Sequence, residues 1–169
     1  MIKRKKSVSH GGGGADGEKQ LAQLLQTVGK EYRVLKERRV QAGTSDQKLD
    51  YVVIGPNGVF YIDAKHGQNY IQWNESSHSG SKNDMTAQLY RYEHVLRELF
   101  RSAELNPELT GVLCLTHPNS NMTGKSPAFT ALKLDQLVSF IQSYKPKKPL
   151  LASSEVDAIE RLILENSGN

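Results

Sequence analysis

The apolar residues of this chain recur with two different periods, and the period distinguishes helices from strands. A first helix is predicted because one helical face carries Leu21, Leu24, Leu25 and Val28, and Gly29 follows as a stop signal. Three more segments have the helical period, and they are 84–101, 135–144 and 153–164. Each of these helices is expected to bury one apolar face.

Short β-rich runs lie between the helices. The runs 49–54 and 59–64 flank Gly55-Pro56-Asn57-Gly58, which is typical turn chemistry, so they predict a hairpin. Both strands are apolar on both faces, which places the hairpin inside a covered sheet. Weaker strands are expected at 32–35, 70–73, 110–115 and 129–134, and loops are expected at 36–47, 75–83 and 117–127. This order of elements predicts an α/β fold with a mixed central β-sheet flanked by helices.

Length and charge indicate how the chain divides into an arm and a domain, and which class of partner it favours. Residues 1–14 combine a basic tip, Lys3-Arg4-Lys5-Lys6, with four glycines, so they are interpreted as a flexible N-terminal arm. Residues 15–169 are expected to form one domain of ordinary size. The net charge of +4 and the pI near 9.1 favour an anionic partner without identifying it.

The chain has a single cysteine, Cys114, which excludes an internal disulfide and a cysteine-based zinc site. No apolar run is long enough to span a bilayer, and the basic start is not followed by the apolar stretch of a signal peptide. No membrane association is therefore expected. The predicted setting is the reducing cytoplasm.

Polar residues interrupt the second hairpin strand where an apolar run would continue. Asp63-Ala64-Lys65 is an acidic-x-Lys triplet at the end of that strand. A second such triplet, Asp46-Gln47-Lys48, lies in a predicted polar loop and needs no special explanation. If Asp63 and Lys65 are buried, partners or a metal ion must offset the cost of burying their charges.

Hairpin geometry places Asp50 on the neighbouring strand, close to Asp63 and Lys65. A two-residue Asn57-Gly58 turn sets Asp50 opposite Lys65, whereas a four-residue turn sets it opposite Asp63. Under either turn the three side chains project from one face, unless a bulge intervenes. Paired carboxylates suit Mg²⁺ or Mn²⁺, and a neighbouring lysine can bind a scissile phosphate or orient the attacking water. The alternative is a surface ion pair between Asp50 and Lys65.

Two helical residues join this set of candidates. Glu18 lies at the edge of the apolar face of the first helix, and Gln88 lies within the apolar stripe of the helix at 84–101. Each has a simpler interpretation. An acid near a helix N-terminus is favoured by the helix dipole, and a buried glutamine can be a satisfied core amide.

The run 49–65 resembles the core of the nuclease-related domain (NERD) family, a branch of the PD-(D/E)xK nuclease superfamily. Gly17 and Glu18 on the first helix also match the family pattern, as does Gln88 on the helix after the lysine. The resemblance covers about 15–115 and therefore leaves the C-terminal helices outside the specific match.

The resemblance implies a restriction-endonuclease-like core whose sheet carries a metal site. It implies Asp50 and Asp63 as ligands of Mg²⁺ or Mn²⁺, with the backbone carbonyl of Ala64 as a third. Lys65 is then the catalytic lysine.

The resemblance also gives roles to the helical residues and shows two departures. Glu18 would help to hold the metal or a water molecule, and Gln88 would orient the site. Asp63 stands where the family more often has glutamate, and Asp84 stands where a proline is often found. Neither departure removes an essential group.

The leading hypothesis is a metal-dependent nuclease that hydrolyses phosphodiester bonds in DNA, with RNA as the less favoured substrate. The first alternative is a catalytically silent nucleic-acid-binding or regulatory module of the same fold. The second is a protein-interaction domain. The expected partner is nucleic acid, and a homodimer or a partner protein is left open.

Overall fold

The computed structural model describes residues 13–68, 70–72, 85–123 and 128–168 of the chain. In these ranges the helices are α1 (Gly13–Leu25), α2 (Ala87–Ser102), α3 (Leu137–Ser143) and α4 (Ser153–Glu165). The strands are β1 (Arg33–Ala42), β2 (Ser45–Gly55), β3 (Gly58–Lys65), β4 (Tyr70–Gln72), β5 (Leu109–Leu115), β6 (Asn121–Thr123), β7 (Thr130–Lys133) and β8 (Ser167–Gly168).

Six strands form one mixed sheet in the order β7-β5-β3-β2-β1-β8. The strands β3, β5 and β7 run parallel, whereas β1, β2 and β3 form an antiparallel meander and β8 pairs antiparallel with β1. The parallel step from β3 to β5 needs a crossover, and α2 lies within it. The short strands β4 and β6 form a separate parallel pair. The predicted mixed sheet of an α/β fold is confirmed.

Helices cover both faces of the central sheet. On one face, Leu21 and Leu25 of α1 and Leu137 and Ile141 of α3 share a core cluster with β2, β3 and β5. The opposite cluster contains the buried residues of α2 and α4. Burial on both faces explains why the hairpin strands are apolar at nearly every position. None of the helices in the described ranges is both long and apolar enough to cross a membrane.

The β2–β3 hairpin has the register in which Ile54 faces Val59. Of the two registers considered, this is the one that sets Asp50 opposite Asp63. The ladder has one more pair than the four-residue turn allows, because Gly55 also pairs with Gly58. The loop between these two glycines therefore has two residues, Pro56 and Asn57. Gly58 has a φ of 117°, a conformation that L side chains rarely adopt.

The interpretation of 36–47 as a loop is wrong. This segment contains most of β1 and the start of β2, which pair antiparallel from Arg33↔Ile54 to Ala42↔Ser45. The strand is hard to recognise because most β1 side chains are polar and at least partly exposed, with Leu35 and Val40 as its buried residues. Backbone pairing along its length, rather than an apolar pattern, makes it a strand.

Other differences concern the ends of elements. Helix α1 begins at Gly13, inside the segment interpreted as an arm, and residues 1–12 lie outside the described residues. The strands β6 and β8 were not predicted, and β6 lies within the predicted loop 117–127. Helix α2 begins at Ala87, and the predicted start at 84 lies outside the described residues, as does the 75–83 segment.

Asn57 fastens the hairpin turn to α3. Its Nδ2 donates to the carbonyl oxygen of Ile141 at 2.7 Å and to that of Tyr144 at 3.1 Å. Its Oδ1 accepts a hydrogen bond of 3.1 Å from the Tyr32 hydroxyl. The Ile141 carbonyl has a long backbone hydrogen bond, 3.4 Å from the Tyr144 N–H, so this buried amide strengthens the pairing at the end of α3.

We predict that Asn57→Ala lowers the free energy of unfolding by about 2–4 kcal/mol, because it removes the three hydrogen bonds that this buried amide makes to Tyr32, Ile141 and Tyr144. The measurement is urea denaturation. The matched control is Asn119→Ala, a truncation at an exposed position, for which a change within about 0.5 kcal/mol is expected. Equal effects of the two substitutions would contradict this account of the turn.

Candidate active site

Asp63 lies near the carboxyl end of β3, and it is 3% exposed. It shares its face of the strand with Tyr61, whose side chain packs in the cluster beneath α2. The Lys65 ammonium lies 3.1 Å from Asp63 Oδ2, and the lysine side chain is 33% exposed. The triplet therefore joins a buried acid to a lysine that reaches the surface, and the alternative ion pair of Lys65 with Asp50 is not formed.

Asp50 lies at a break in the alternation of β2. Leu49 and Val52 both belong to the cluster on the α2 side, although an odd spacing sets residues on opposite faces of a regular strand. Strand β1 shows the same change of face, because Leu35 and Val40 also belong to this cluster although they are five residues apart. Glu37 lies between them and has a left-handed φ of 53°. The ladder pairs the residues on either side of Glu37 and Asp50 and leaves these two out. The two strands therefore exchange faces together at this point.

This break sets the direction of the Asp50 carboxylate. Asp50 Oδ2 accepts a hydrogen bond of 2.9 Å from the backbone N–H of Ala64. The last pair of the β2–β3 ladder at this end is Tyr51↔Ile62, so Asp50 and Asp63 are not paired through their backbones. The side chain of Asp50, rather than its backbone, makes the next hydrogen bond to β3. The N–H and C=O of one strand residue point to the same side, so the Ala64 carbonyl also points toward Asp50. Asp50 therefore departs from the regular alternation assumed for it, and its carboxylate meets the β3 backbone at Ala64, next to Asp63.

Asp50 and Asp63 are called the carboxylate pair below. Burial is the largest influence on Asp63 and raises its pKa to about 6. The charge of Lys65 lowers this pKa, whereas Asp50 raises it through its own charge and through a side-chain hydrogen bond. Among the described residues no well-aligned hydrogen bond reaches Asp63 Oδ2. A buried carboxylate oxygen in this position, beside a second acid, is one that a bound cation would stabilise.

Helix α2 places Gln88 above the sheet. Its Nε2 donates to Gln47 Oε1 at 3.5 Å, and its Oε1 accepts a hydrogen bond of 2.6 Å from Nη2 of Arg91. Gln88 is half-buried, and its bonds run both to the sheet and to an exposed arginine. Sequence reasoning did not identify Arg91, although a residue three positions along a helix is a near neighbour.

Tyr92 is a second residue that sequence reasoning placed only in the apolar stripe of α2. It is buried in the cluster beneath α2, on the side of the sheet to which Tyr61 and Asp63 point. Burial raises its pKa, and the charges of the carboxylate pair raise it further. Its position four residues after Gln88, on the same helical face, was the available signal.

Gly17 lets α1 approach the ends of β3 and β5. A Cβ atom there would lie 2.3 Å from Thr116 Oγ1 and 3.1 Å from His66 Nδ1. The Thr116 amide in turn donates to the carbonyl of Lys65 at 3.0 Å. A larger residue at position 17 would therefore push α1 away from the strand end that carries the lysine. This close approach explains why glycine precedes Glu18.

Glu18 lies with α1 on the face opposite α2. Its Oε2 is 3.5 Å from Nζ of Lys36, which pairs with Tyr51 across the β1–β2 ladder. The buried Tyr51 hydroxyl has no hydrogen-bond partner among the described residues. Burial raises the pKa of Tyr51 to about 12, and the charge of Glu18 contributes next. The structure thus brings Glu18 to Lys36 and Tyr51, and the predicted role of Glu18 in holding a metal or water stays a prediction.

The donor set around the carboxylate pair fits a hard divalent cation. Within the described ranges no cluster of three or more His, Cys, Asp or Glu residues could hold a metal ion, so the side chains offer two ligands. The Ala64 carbonyl is a further oxygen on the same side. Mg²⁺ is commonly held by one or two carboxylates and keeps several waters, so two acids and one carbonyl suit Mg²⁺ or Mn²⁺ better than a closed zinc site.

Comparison with known proteins identifies a family and gives similarity to solved structures. The model of the nuclease-related domain (NERD) family matches residues 13–116. Among solved structures, the structure of Pyrococcus furiosus SfsA in complex with Ca²⁺ is similar with a TM-score of 0.30 and 16% sequence identity. That match covers 91% of this chain and 52% of the other, so the chain spans about half the length of SfsA. Comparison with curated protein sequences gives no match.

The raised pKa of Asp63 predicts how stability depends on pH. Between about pH 4 and pH 6 the folded protein keeps a proton that the unfolded chain releases, so the free energy of unfolding falls as pH rises. Asp63→Asn removes this charge. In EDTA we expect it to raise the free energy of unfolding by about 1–3 kcal/mol at pH 8, and the gain to vanish near pH 4.

The control for this experiment is Asp46→Asn, because Asp46 is an exposed acid in an ion pair with Arg39. Urea denaturation at both pH values should show little change for this control. If Asp63→Asn destabilised the protein at pH 8, ionised Asp63 would not be the source of strain.

Proposed function

The chain belongs to the nuclease-related domain (NERD) family, whose model matches residues 13–116 of its 169, and on this basis we propose that it is a divalent-metal-dependent nuclease. The proposed reaction is hydrolysis of phosphodiester bonds in DNA, with RNA as the less favoured substrate. The observation that carries the proposal is the buried Asp63, which lies beside Asp50 and within 3.1 Å of the Lys65 ammonium. Two acids and a lysine at one strand end are the groups that such a reaction requires.

In this proposal the carboxylate pair and the Ala64 carbonyl hold Mg²⁺ or Mn²⁺. A bound ion of this kind supplies an activated water and neutralises negative charge on the phosphate. The chain contributes rigidity, because Asp63 lies within a paired strand and Asp50 is fastened to the Ala64 N–H at 2.9 Å. Pre-set ligands of this kind avoid reorganisation when the substrate arrives.

Lys65 is the residue that meets the substrate. Its ammonium remains beside Asp63, while a third of its side chain is exposed to solvent. A lysine in this position can donate to a non-bridging oxygen of the scissile phosphate and stabilise the charge that develops there. Charge on Lys65 also lowers the pKa of Asp63 and so favours the ionised form that binds a cation.

Gln88 and Arg91 flank the site on α2. Because Arg91 is exposed and its guanidinium already reaches Gln88, it is placed to contact a phosphate next to the one that is cleaved. The substrate expected here is a nucleic acid strand that approaches from solvent, with no membrane involved. The proposal includes a cytoplasmic setting and leaves open whether a second copy or a partner protein takes part.

We predict that Asp63→Asn and Lys65→Ala each reduce DNA cleavage by at least about 100-fold while the fold is kept. The assay follows supercoiled, linear and single-stranded DNA, and RNA, with Mg²⁺, Mn²⁺ or EDTA. Wild-type cleavage should require the metal and should stop in EDTA.

The matched controls are Asp46→Asn and Lys48→Ala, which change the other acidic-x-Lys triplet at exposed positions of β2. Their activity should stay within about twofold of wild type. Equal activity of Lys65→Ala and wild type would reject the site. DNA binding that weakens with salt, without cleavage under either metal, would support the silent binding module instead.

A further inference from the structure

A cleft lies between α1 and the carboxyl ends of β5 and β7. Its volume is about 620 Å³, and its lining comes from α1 and from the ends of the two strands with the residues that follow them. Clefts at the carboxyl ends of parallel strands are common ligand sites in α/β folds, and this volume is typical of sites for small organic groups. The carboxylate pair and Lys65 do not line this cleft.

The cleft is one strand away from Lys65. Lys65 pairs in register with Leu115, which lines the cleft, and neighbouring strands lie about 4.8 Å apart. Thr116, the next lining residue, donates from its N–H to the Lys65 carbonyl at 3.0 Å, and its hydroxyl is 2.9 Å from Nδ1 of His66. These hydrogen bonds fix the wall of the cleft to the strand end that carries the lysine.

The surface of the cleft is mostly apolar, with Leu24 of α1 and Leu134 among its walls. Counting histidine as neutral, the charged side chains among the described lining residues are two acids and one lysine, which are Asp16, Asp135 and Lys133. The lining therefore has no surplus of positive charge to attract a phosphate group. A flat uncharged ring with polar edges suits it better, because the Gln20 amide offers both a donor and an acceptor.

We propose that this cleft receives the base of the nucleotide attached to the scissile phosphate, so that the substrate is a strand whose base is unpaired at the cleavage position. The inference rests on the proposed function, because it requires the cleaved phosphate to bind at Lys65. A base is joined to its phosphate through one sugar, a span similar to the distance between two neighbouring strands. A base in a duplex must first unpair and unstack, which costs free energy. Single-stranded DNA is then preferred over the same sequence as a duplex.

The first test uses the wild-type chain and an end-labelled single strand that contains one abasic nucleotide. The other phosphates of the same strand serve as internal references. In Mn²⁺ we expect cleavage at a phosphate attached to the abasic nucleotide to fall by about 10-fold or more, because the apolar cleft then receives no base. The unmodified strand annealed to its complement should also be cleaved at least about 10-fold more slowly than the strand alone.

The second test fills the cleft. Gln20→Trp places a large ring at an exposed lining position of α1, where the fold should tolerate it. The matched control is Gln23→Trp, the same change at an exposed position of α1 that does not line the cleft. Fluorescence anisotropy in EDTA measures the affinity for a short labelled single strand without cleavage. We expect Gln20→Trp to bind about 10-fold more weakly and Gln23→Trp to stay within about twofold of wild type.

The outcomes separate this inference from the proposed function. Slow cleavage at the abasic nucleotide, together with weaker binding by Gln20→Trp alone, supports the cleft as a base site. If wild type cleaves DNA but cuts at the abasic nucleotide and in the duplex as fast as in the unmodified single strand, the base site is rejected and the nuclease stands. Equal affinities of the two tryptophan variants would likewise reject the base site. If wild type cleaves no DNA with either metal, the proposed function is rejected together with the inference.

Discussion

The burial of the Asp63 carboxylate between the central sheet and α2 is the constraint around which this site is organised. The pKa of this acid is raised to about 6, mainly by desolvation, even though the charge of the nearby Lys65 lowers it. The negative charge of Asp50 repels ionised Asp63 and raises its pKa further. The fold therefore stabilises an arrangement that is unfavourable by itself. A site of this kind gains from a cation, because the binding free energy of the ion also relieves strain in the protein.

The two acids meet at a defect in the sheet. A regular hairpin in this register would continue the ladder from Tyr51↔Ile62 to Asp50 and Asp63. Instead both β1 and β2 exchange faces at Glu37 and Asp50, and Asp50 uses its side chain to bond the Ala64 N–H. Helices cover the sheet on both faces around this point. The buried residues of α2 pack on one face, while Gly17 lets α1 approach the ends of β3 and β5 from the other. Local departures from regular structure are common where function is located.

Strong patterns in the sequence predicted much of the frame. The hairpin, the crossover helix and the strand β5 were recognisable because they are apolar and lie close together in the chain. The strand β1 was not recognisable, since its charged residues resemble a loop until its pairing with β2 is known. The acidic-x-Lys triplet was singled out for a sound reason, because charged residues at the end of a core strand are unusual. The identical chemistry of Asp46 and Lys48 is exposed and carries no such meaning.

The sequence by itself determined the fold class, the hairpin and the residue types at its open end, because these depend on local periodicity and turn chemistry. It also determined which acids and which lysine were candidates. Only the tertiary structure decided which of them meet. The strand exchange at Asp50 coincides with the left-handed Glu37 of the neighbouring strand, and the buried Tyr92 is brought over the sheet by the crossover helix α2. Glu18 was placed with Lys36, on the far face of the sheet, by the packing of α1. These are contacts between segments that are far apart in the sequence, so they cannot be predicted from the spacing of residues along the chain.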